Sequence, residues 1–579
     1  MADRPNLMDV NTLYDLSSTV VINYFGLYEK DLISLPDNIL FDLYYKLYKN
    51  DRICVLGWEL VDLNVFGRML KVTHKRMQLL QCFQALMDHG TDISKELAVS
   101  YAARCMCSQM CPSLLDSTID LGLRLGGFLS DAGWFKDSES VLVHCRDLCL
   151  WAPETPASLR RTLECYHKLF HAQAVYCCFP EAAETYQEIN ELILTLKNMN
   201  ELPNLAALYK EFSIHFFLRS EYDEAHKWSV EALKQLVPGL PASVVVDVLR
   251  QLSKTCVVKR LFKKAEVVIQ QAVRMANEIY EPNHLKLADA LLDYGFFLLN
   301  YDCINHCVKV ISKALDIKKA TFRRKNIYVA TALEDLAYAL YVFEYSTGKF
   351  KRAREFSEDA ILILEELLPP NHLMLSSAKR VKALILEEIA LDMHSNALAV
   401  DSLLPDAELL HITALELSVR ALGEHNVQTA KHYGNLGRLY QSMRKFKEAE
   451  EMHLKAIAIK EDMLGKHDYE VGLSLGHLAS LYAYHTKQYE KAVELYLRSI
   501  EIGIKLFGET YSGLEYDYRG LCHVYGKLDD VERVAHYTLV LNQWKVLREH
   551  LSLQESKIVL DETGPLQSLS GIIDFFFKD

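Results

Sequence analysis

The chain has 579 residues, half of them hydrophobic and 24% charged, the balance of a folded protein with several cores or one long repeat array. Lys and Arg number 64 against 77 Asp and Glu, and this net charge of −13 argues against a nucleic-acid reader. Gly (24) and Pro (14) are too scarce for many short strands, so helix is expected throughout. No apolar region follows Asp3 and Arg4, and no uncharged stretch approaches about 18 apolar residues. An intracellular protein is therefore expected, with its 14 cysteines as reduced thiols.

Residues 1–50 carry two short patterns. In Thr12-Leu13-x-x-x-Ser17-x-x-x-Val21, the four-residue spacing puts a large, a small and a β-branched side chain on one helical stripe. In Leu35-Pro36-Asp37-Asn38-Ile39-x-x-x-Leu43, Pro36 suits a first helical turn, and Ser34 with Asp37 predicts a capping box. Leu35, Ile39 and Leu43 then form a second stripe, extended by Tyr44, Tyr45, Leu47 and Tyr48. The pair resembles an elongin-binding box followed by a cullin-2 box. An F-box also opens with Leu-Pro-x-x-Ile, and two short helices would equally cap a solenoid end. Residues 51–117 read as a helical linker or capping region.

From about residue 118 the chain repeats itself. Leu125-Gly126 with Phe135 and Cys145 mark a first unit, and Tyr222, Ala225 and Ala232 a later one. Phe262, Ala265 and Ala272 follow, then Tyr294-Gly295, Cys307 and Ala314, then Leu336-Ala337, Phe350 and Ala360. The clearest unit is Leu436-Gly437, Tyr440, Phe446, Ala449, His453 and Ala456. Gly423, Gly465 and Gly508 recur at spacings of 42 and 43 residues, each nine after a small residue. Small residues where two antiparallel helices meet, with rings between them, are the tetratricopeptide pattern. The length of the unit resembles the repeats of kinesin light chains. The predicted fold is all-α, a tetratricopeptide-repeat α-solenoid over 118–545 with irregular joints near 150–200 and 365–410. Residues 546–579 form a tail.

Four stretches carry a closer resemblance: Gln-Cys-Phe-Gln-Ala-Leu-Met-Asp-His-Gly at 81–90, Gly-Gly-Phe-Leu-Ser-Asp-Ala-Gly-Trp at 126–134, Lys-Arg-Val-Lys-Ala-Leu-Ile-Leu-Glu-Glu-Ile-Ala at 379–390 and the run 427–446. They resemble the amyloid-protein-binding family of tetratricopeptide-repeat substrate receptors of cullin-2 RING ubiquitin ligases. The resemblance implies a non-catalytic protein joined to elongin B, elongin C, cullin-2 and a RING-box subunit. Leu13, Ser17 and Val21 would dock elongin C, and Leu35, Pro36, Ile39 and Leu43 would contact cullin-2. Substrates would carry C-terminal degrons, with Arg three residues before a terminal Gly. An older description of the family implies instead an adaptor joining the amyloid precursor protein tail to microtubules. No nucleic acid, metal or cofactor is implied.

A C-terminal peptide needs donors for its carboxylate and carboxylates for its Arg, because an unpaired buried charge is costly. Groove candidates on the first helices of the repeats are Arg250 and Lys254, then Lys431, Asn435 and Arg438. Acidic candidates are Asp289, Asp293, Glu334 and Asp335, with Tyr294 and Tyr338 beside the peptide. Gly472-Leu-Ser474-Leu-Gly476 matches a hydrolase elbow but lies in a repeat helix, away from any strand. Cys105, Cys107, Cys111, Cys145 and Cys149 lack zinc-knuckle spacing, and Cys145 and Cys149, like Cys303 and Cys307, read as small core residues. His411 and His453 stand where the repeats require a ring, and read as packing.

Overall fold

A computed structural model describes residues 12–32, 34–110, 112–345, 348–392, 397–555 and 566–578, and among them the regular elements are all helical. No helix among these residues is long and apolar enough to cross a membrane. The chain divides at Pro203–Asn204 into two compact units, with residues 321–323 grouped in the first. This division falls inside the stretch 118–545.

The first unit contains α1 (Leu13–Asn23), α2 (Phe25–Leu32), α3 (Asp37–Lys49), α4 (Ile53–Leu60), α5 (Leu63–Met69), α6 (Arg76–Asp88), α7 (Ile93–Met110), α8 (Leu115–Asp131), α9 (Phe135–Trp151), α10 (Pro156–Val175) and α11 (Phe179–Asn198). Thr12 caps α1, its hydroxyl accepting from Asp15 N at 3.1 Å. The expected capping box at α3 does not form. Its N-cap is Pro36, so Ser34 stands two residues too early and donates instead to Asp31 O at 2.7 Å. Asp37 pairs with Arg68 of α5 at 2.6 Å. Phe66, Phe83 and Phe128 form the aromatic centre of this unit, with centroids 5.2–6.1 Å apart. Helical hairpins begin at α8/α9, where Gly126 admits Leu142: a Cβ there would lie 2.5 Å from the leucine.

The second unit stacks eight hairpins: α12 (Ala206–Leu218) with α13 (Tyr222–Lys234), α14 (Ala242–Val258) with α15 (Phe262–Ile279), α16 (Leu285–Asn300) with α17 (Ile304–Phe322), α18 (Ile327–Glu344) with α19 (Lys351–Leu367), α20 (Met374–Asp392) with α21 (Ala397–Leu422), α22 (Val427–Ser442) with α23 (Phe446–Leu464), α24 (Tyr469–Leu481) with α25 (Tyr489–Phe507), and α26 (Leu514–Lys527) with α27 (Val531–Glu555). A last helix, α28 (Leu569–Phe577), packs on α15 through the buried Ile572 and Phe576. The periodic glycines end the second helices: Gly465 and Gly508 are C-caps with φ near +84°, a conformation most side chains resist. First helices start on repeated caps. Asn326, Asn426 and Asp468 each accept from the backbone N–H two residues on.

This array turns back on itself. Asn426 Nδ2 donates to Arg219 O at 2.8 Å, and Arg260 meets Asp468 at 3.3 Å. Asp302 accepts from Ser512 and Arg548, and the Phe262 and Phe507 rings lie 5.4 Å apart. Early repeats thus touch late ones, which draws the first helices into a narrow concavity.

Candidate binding surfaces

Helix α1 leaves an apolar stripe open. Ser18 and Ile22 are its buried residues, while Leu13 is 83% exposed and Leu16, Val20 and Ser17 are exposed as well. Val21 is half-buried. The helix is held from behind by Lys46, which donates to Asp15 O at 2.7 Å and Ser18 Oγ at 2.8 Å, and by Arg52 donating to Ile22 O. Tyr14 OH adds a bond to Asp42 at 2.9 Å. At the start of α3, Pro36 and Ile39 are exposed and Leu35 is half-buried. Leu43 is 3% exposed. It belongs to the core with Leu40, Phe41, Tyr44 and Leu47, not to a contact surface, because its stripe turns inward after one helical turn.

In the second unit the groove candidates pair with one another. Arg250 Nε donates to Asp293 at 2.8 Å and its Nη1 to Asp247 at 3.0 Å, with Asp289 at 3.9 Å. Lys254 reaches Asp293 at 3.5 Å and lies 5.0 Å over the Phe217 ring. Lys286 binds Asp247 at 2.6 Å, and Lys318 binds Asp289 at 2.7 Å. Arg250, Lys254, Lys286 and Lys318 thus face Asp247, Asp289 and Asp293, with Asp335 close to Lys254 and Lys318. Burial raises Asp289, yet Lys318, Arg250 and Lys286 outweigh it and hold the carboxyl well below its usual range. The sequence placed anion and cation subsites apart; here Arg250, Lys254, Asp289 and Asp293 share one network.

Glu334 and Asp335 on α18 differ from these. Neither has an ion-pair partner among the described residues. Burial pushes Glu334 up to about 7 against a hydrogen bond from Ser377, and Asp335 up to about 6 against the nearby Lys254 charge. Asp335 nonetheless keeps an exposed side chain, whereas Glu334 is half-buried. Arg380 stacks 5.1 Å over Tyr338, whose ring lies 6.1 Å from Tyr341. Tyr294, by contrast, is 2% exposed and packs on Phe297 and His306, so it does not border a peptide.

On α22, Lys431 binds Glu470 at 3.0 Å, and the buried Lys460 binds the same carboxylate at 3.1 Å. Arg438 donates to Glu387 at 2.7 Å, to Tyr341 OH at 3.0 Å and lies 3.4 Å from Glu388. Burial lowers its pKa, but Glu387, Tyr341 and Glu388 hold it above the usual range. Asn435 is half-buried on the same helix. Lys286, Lys318, Arg380 and Glu470 escaped the sequence reading, since nothing in a single repeat tells which neighbour completes a pair.

The other motifs settle as packing. Ser474 is buried in α24 and accepts from Lys460 at 2.9 Å, so no strained elbow exists. His411 and His453 are fully buried, and burial holds both imidazoles below their usual range, His453 at about 3. A Cβ on Gly437 would meet the His453 ring at 2.9 Å, which is why a glycine faces it. Cys145, Cys149 and Cys307 are buried, whereas Cys303, also expected in the core, is half-buried, and Cys111 lies outside the described residues.

Residues 390–462 and 471–510 match models of the tetratricopeptide repeat. Amyloid protein-binding protein 2 of Mus musculus is 52% identical over 539 residues, covering 93% of this chain and 92% of that one. The Rattus norvegicus protein matches to the same extent. The chain belongs to the amyloid protein-binding protein 2 family. For this family member a protein-binding role on a tetratricopeptide-repeat scaffold follows. Among solved structures, kinesin-light-chain repeats of Podosopora anserina align at TM-score 0.29 and 15% identity, over 39% of this chain and 99% of that one. The human IFIT1 dimer with m7Gppp-AAAA aligns at TM-score 0.42 and 14% identity, over 74% and 90%.

Proposed function

We propose that the chain is the substrate-recognition subunit of a cullin-2, elongin B/C and RING ubiquitin ligase. The observation that carries this reading is the exposed stripe of α1, anchored from behind and followed by the exposed Pro36 and Ile39. Leu13, Ser17 and the neighbouring Leu16 and Val20 dock elongin C, and Pro36 and Ile39, with Leu35, meet cullin-2. An apolar helix face offers its area to a partner at about 25 cal/mol per Å² buried. The concavity of the second unit takes the substrate. Lys254, held to Asp293 only at 3.5 Å, suits a terminal carboxylate, and Glu334 with Asp335 suits the degron's Arg. Ubiquitin chemistry belongs to the recruited RING subunit and its conjugating enzyme.

Copurification with elongin B/C and cullin-2, beside Leu13→Ser, tests the first half. Capture by the wild type and loss in the variant is expected; equal capture by both rejects the assignment of α1. Peptides ending in Arg-x-x-Gly, compared with amidated copies, test the second half through binding to Asp335→Asn and Lys254→Met. The family's name favours a second reading, a protein that binds an amyloid protein, which would make this chain an adaptor for a membrane-protein tail. In that case tail binding persists while elongin binding is absent from the wild type.

A further inference from the structure

Three sulfur atoms converge in the first unit where sequence spacing gives no warning. Cys145 and Cys149 stand one turn apart on one face of α9, and Cys165 comes from the middle of α10, the helix packed against it. Their Sγ atoms all lie within 4.8 Å of one another. Cys145 and Cys165 are fully buried, and Cys149 keeps 5% exposure. Gly122 on α8 lets the Tyr101 ring and Cys145 come close, since a Cβ there would sit 2.0 Å from the Tyr101 hydroxyl and 2.9 Å from Cys145 Sγ. Cys145 donates to Ile119 O and Cys165 to Leu142 O, each at 3.5 Å, weak bonds that a stronger sulfur ligand would displace.

We propose that Cys145, Cys149 and Cys165 form a binding site for a soft, three-coordinate metal ion, with Cu(I) as its occupant. Thiolates select soft ions, and three sulfurs with no imidazole or carboxylate in the group, among the described residues, fall short of the four ligands a structural zinc takes. The ligand must be thiolate, so each thiol gives up its proton as the metal binds. Binding one Cu(I) to three thiols forms three Cu–S bonds, breaks three S–H bonds and releases three protons to solvent. No electron moves.

The test uses the reduced full chain under anaerobic conditions, titrated with Cu(I) held by a coloured competing chelator. One equivalent retained by the protein is expected, with X-ray absorption reporting three sulfur neighbours. C149S and C165S should each release it to the chelator, while C307S, a buried cysteine of the other unit, should retain it. Circular dichroism melts establish that each variant is folded; if C165S is not, C149S at the edge of the cluster decides. Complete loss of copper from wild type to the chelator, retention by C149S, or a preference for four-coordinate Zn(II) overturns the proposal.

Discussion

Helix α1 turns Leu13, Leu16 and Val20 to solvent while Ser18 and Ile22 anchor it, whereas α14, α16, α20 and α22 spend their charges on one another across a concavity. A partner of α1 need only cover apolar surface, so that face suits a constant, tightly held subunit. A peptide entering the concavity must exchange existing ion pairs for its own, which yields discrimination between sequences more than affinity. In the proposed receptor the task of staying bound is thus separate from the task of choosing.

The comparison breaks most visibly if a groove pair can be removed without harm. Arg438→Met should cost about 3–5 kcal/mol, because Glu387, 1% exposed at its side chain, loses its ion-pair partner and keeps only a hydrogen bond from Ser442. The shift in urea midpoint measures it, and adding Glu387→Gln should recover a large part. Next comes the pH profile. Glu334 and Asp335 sit above their ordinary range when folded, so folding favours their protonated forms. The stability they contribute is complete below about pH 4 and fades as pH rises through about 6 and then about 7. The Glu334→Gln, Asp335→Asn double variant should lose less stability than wild type between pH 4 and 7, by thermal melts across that window. Asp517, also raised to about 7, keeps part of the slope in both proteins.

On the α1 side the expected changes in stability are small. Leu13→Ser should move the unfolding midpoint by no more than about 0.5 kcal/mol, as for an exposed position without structural partners, while elongin capture collapses. A large loss of stability would mean that Leu13 packs inward. Ser34→Ala should be close to neutral in the same urea measurement. A capping serine would cost about 1 kcal/mol, so that value would reinstate the cap that Pro36 displaces.

Much of the repeat architecture was legible because its causes are local. Gly465 and Gly508 mark helix ends through a backbone conformation, and Gly437 faces His453 through a steric fit inside one hairpin. On α1 the four-residue period put Val21 on the outer stripe, whereas the exposed apolar residues are Leu13, Leu16 and Val20 and Val21 is half-buried, because Ser18 and Ile22 turn the helix toward its neighbours. Leu43 was misjudged because its outward period stops where α3 meets α4 and α5, and Ser34 because the helix begins after Pro36.

By itself the sequence determined an all-helical chain of tetratricopeptide hairpins, since period, caps and small residues act within about 40 residues of chain. Tertiary structure alone decided that Arg250 meets Asp293, that Arg438 meets Glu387, and that Cys165 joins Cys145 and Cys149. Those meetings depend on how one hairpin is rotated on the next, and only the packing of whole helices sets that angle.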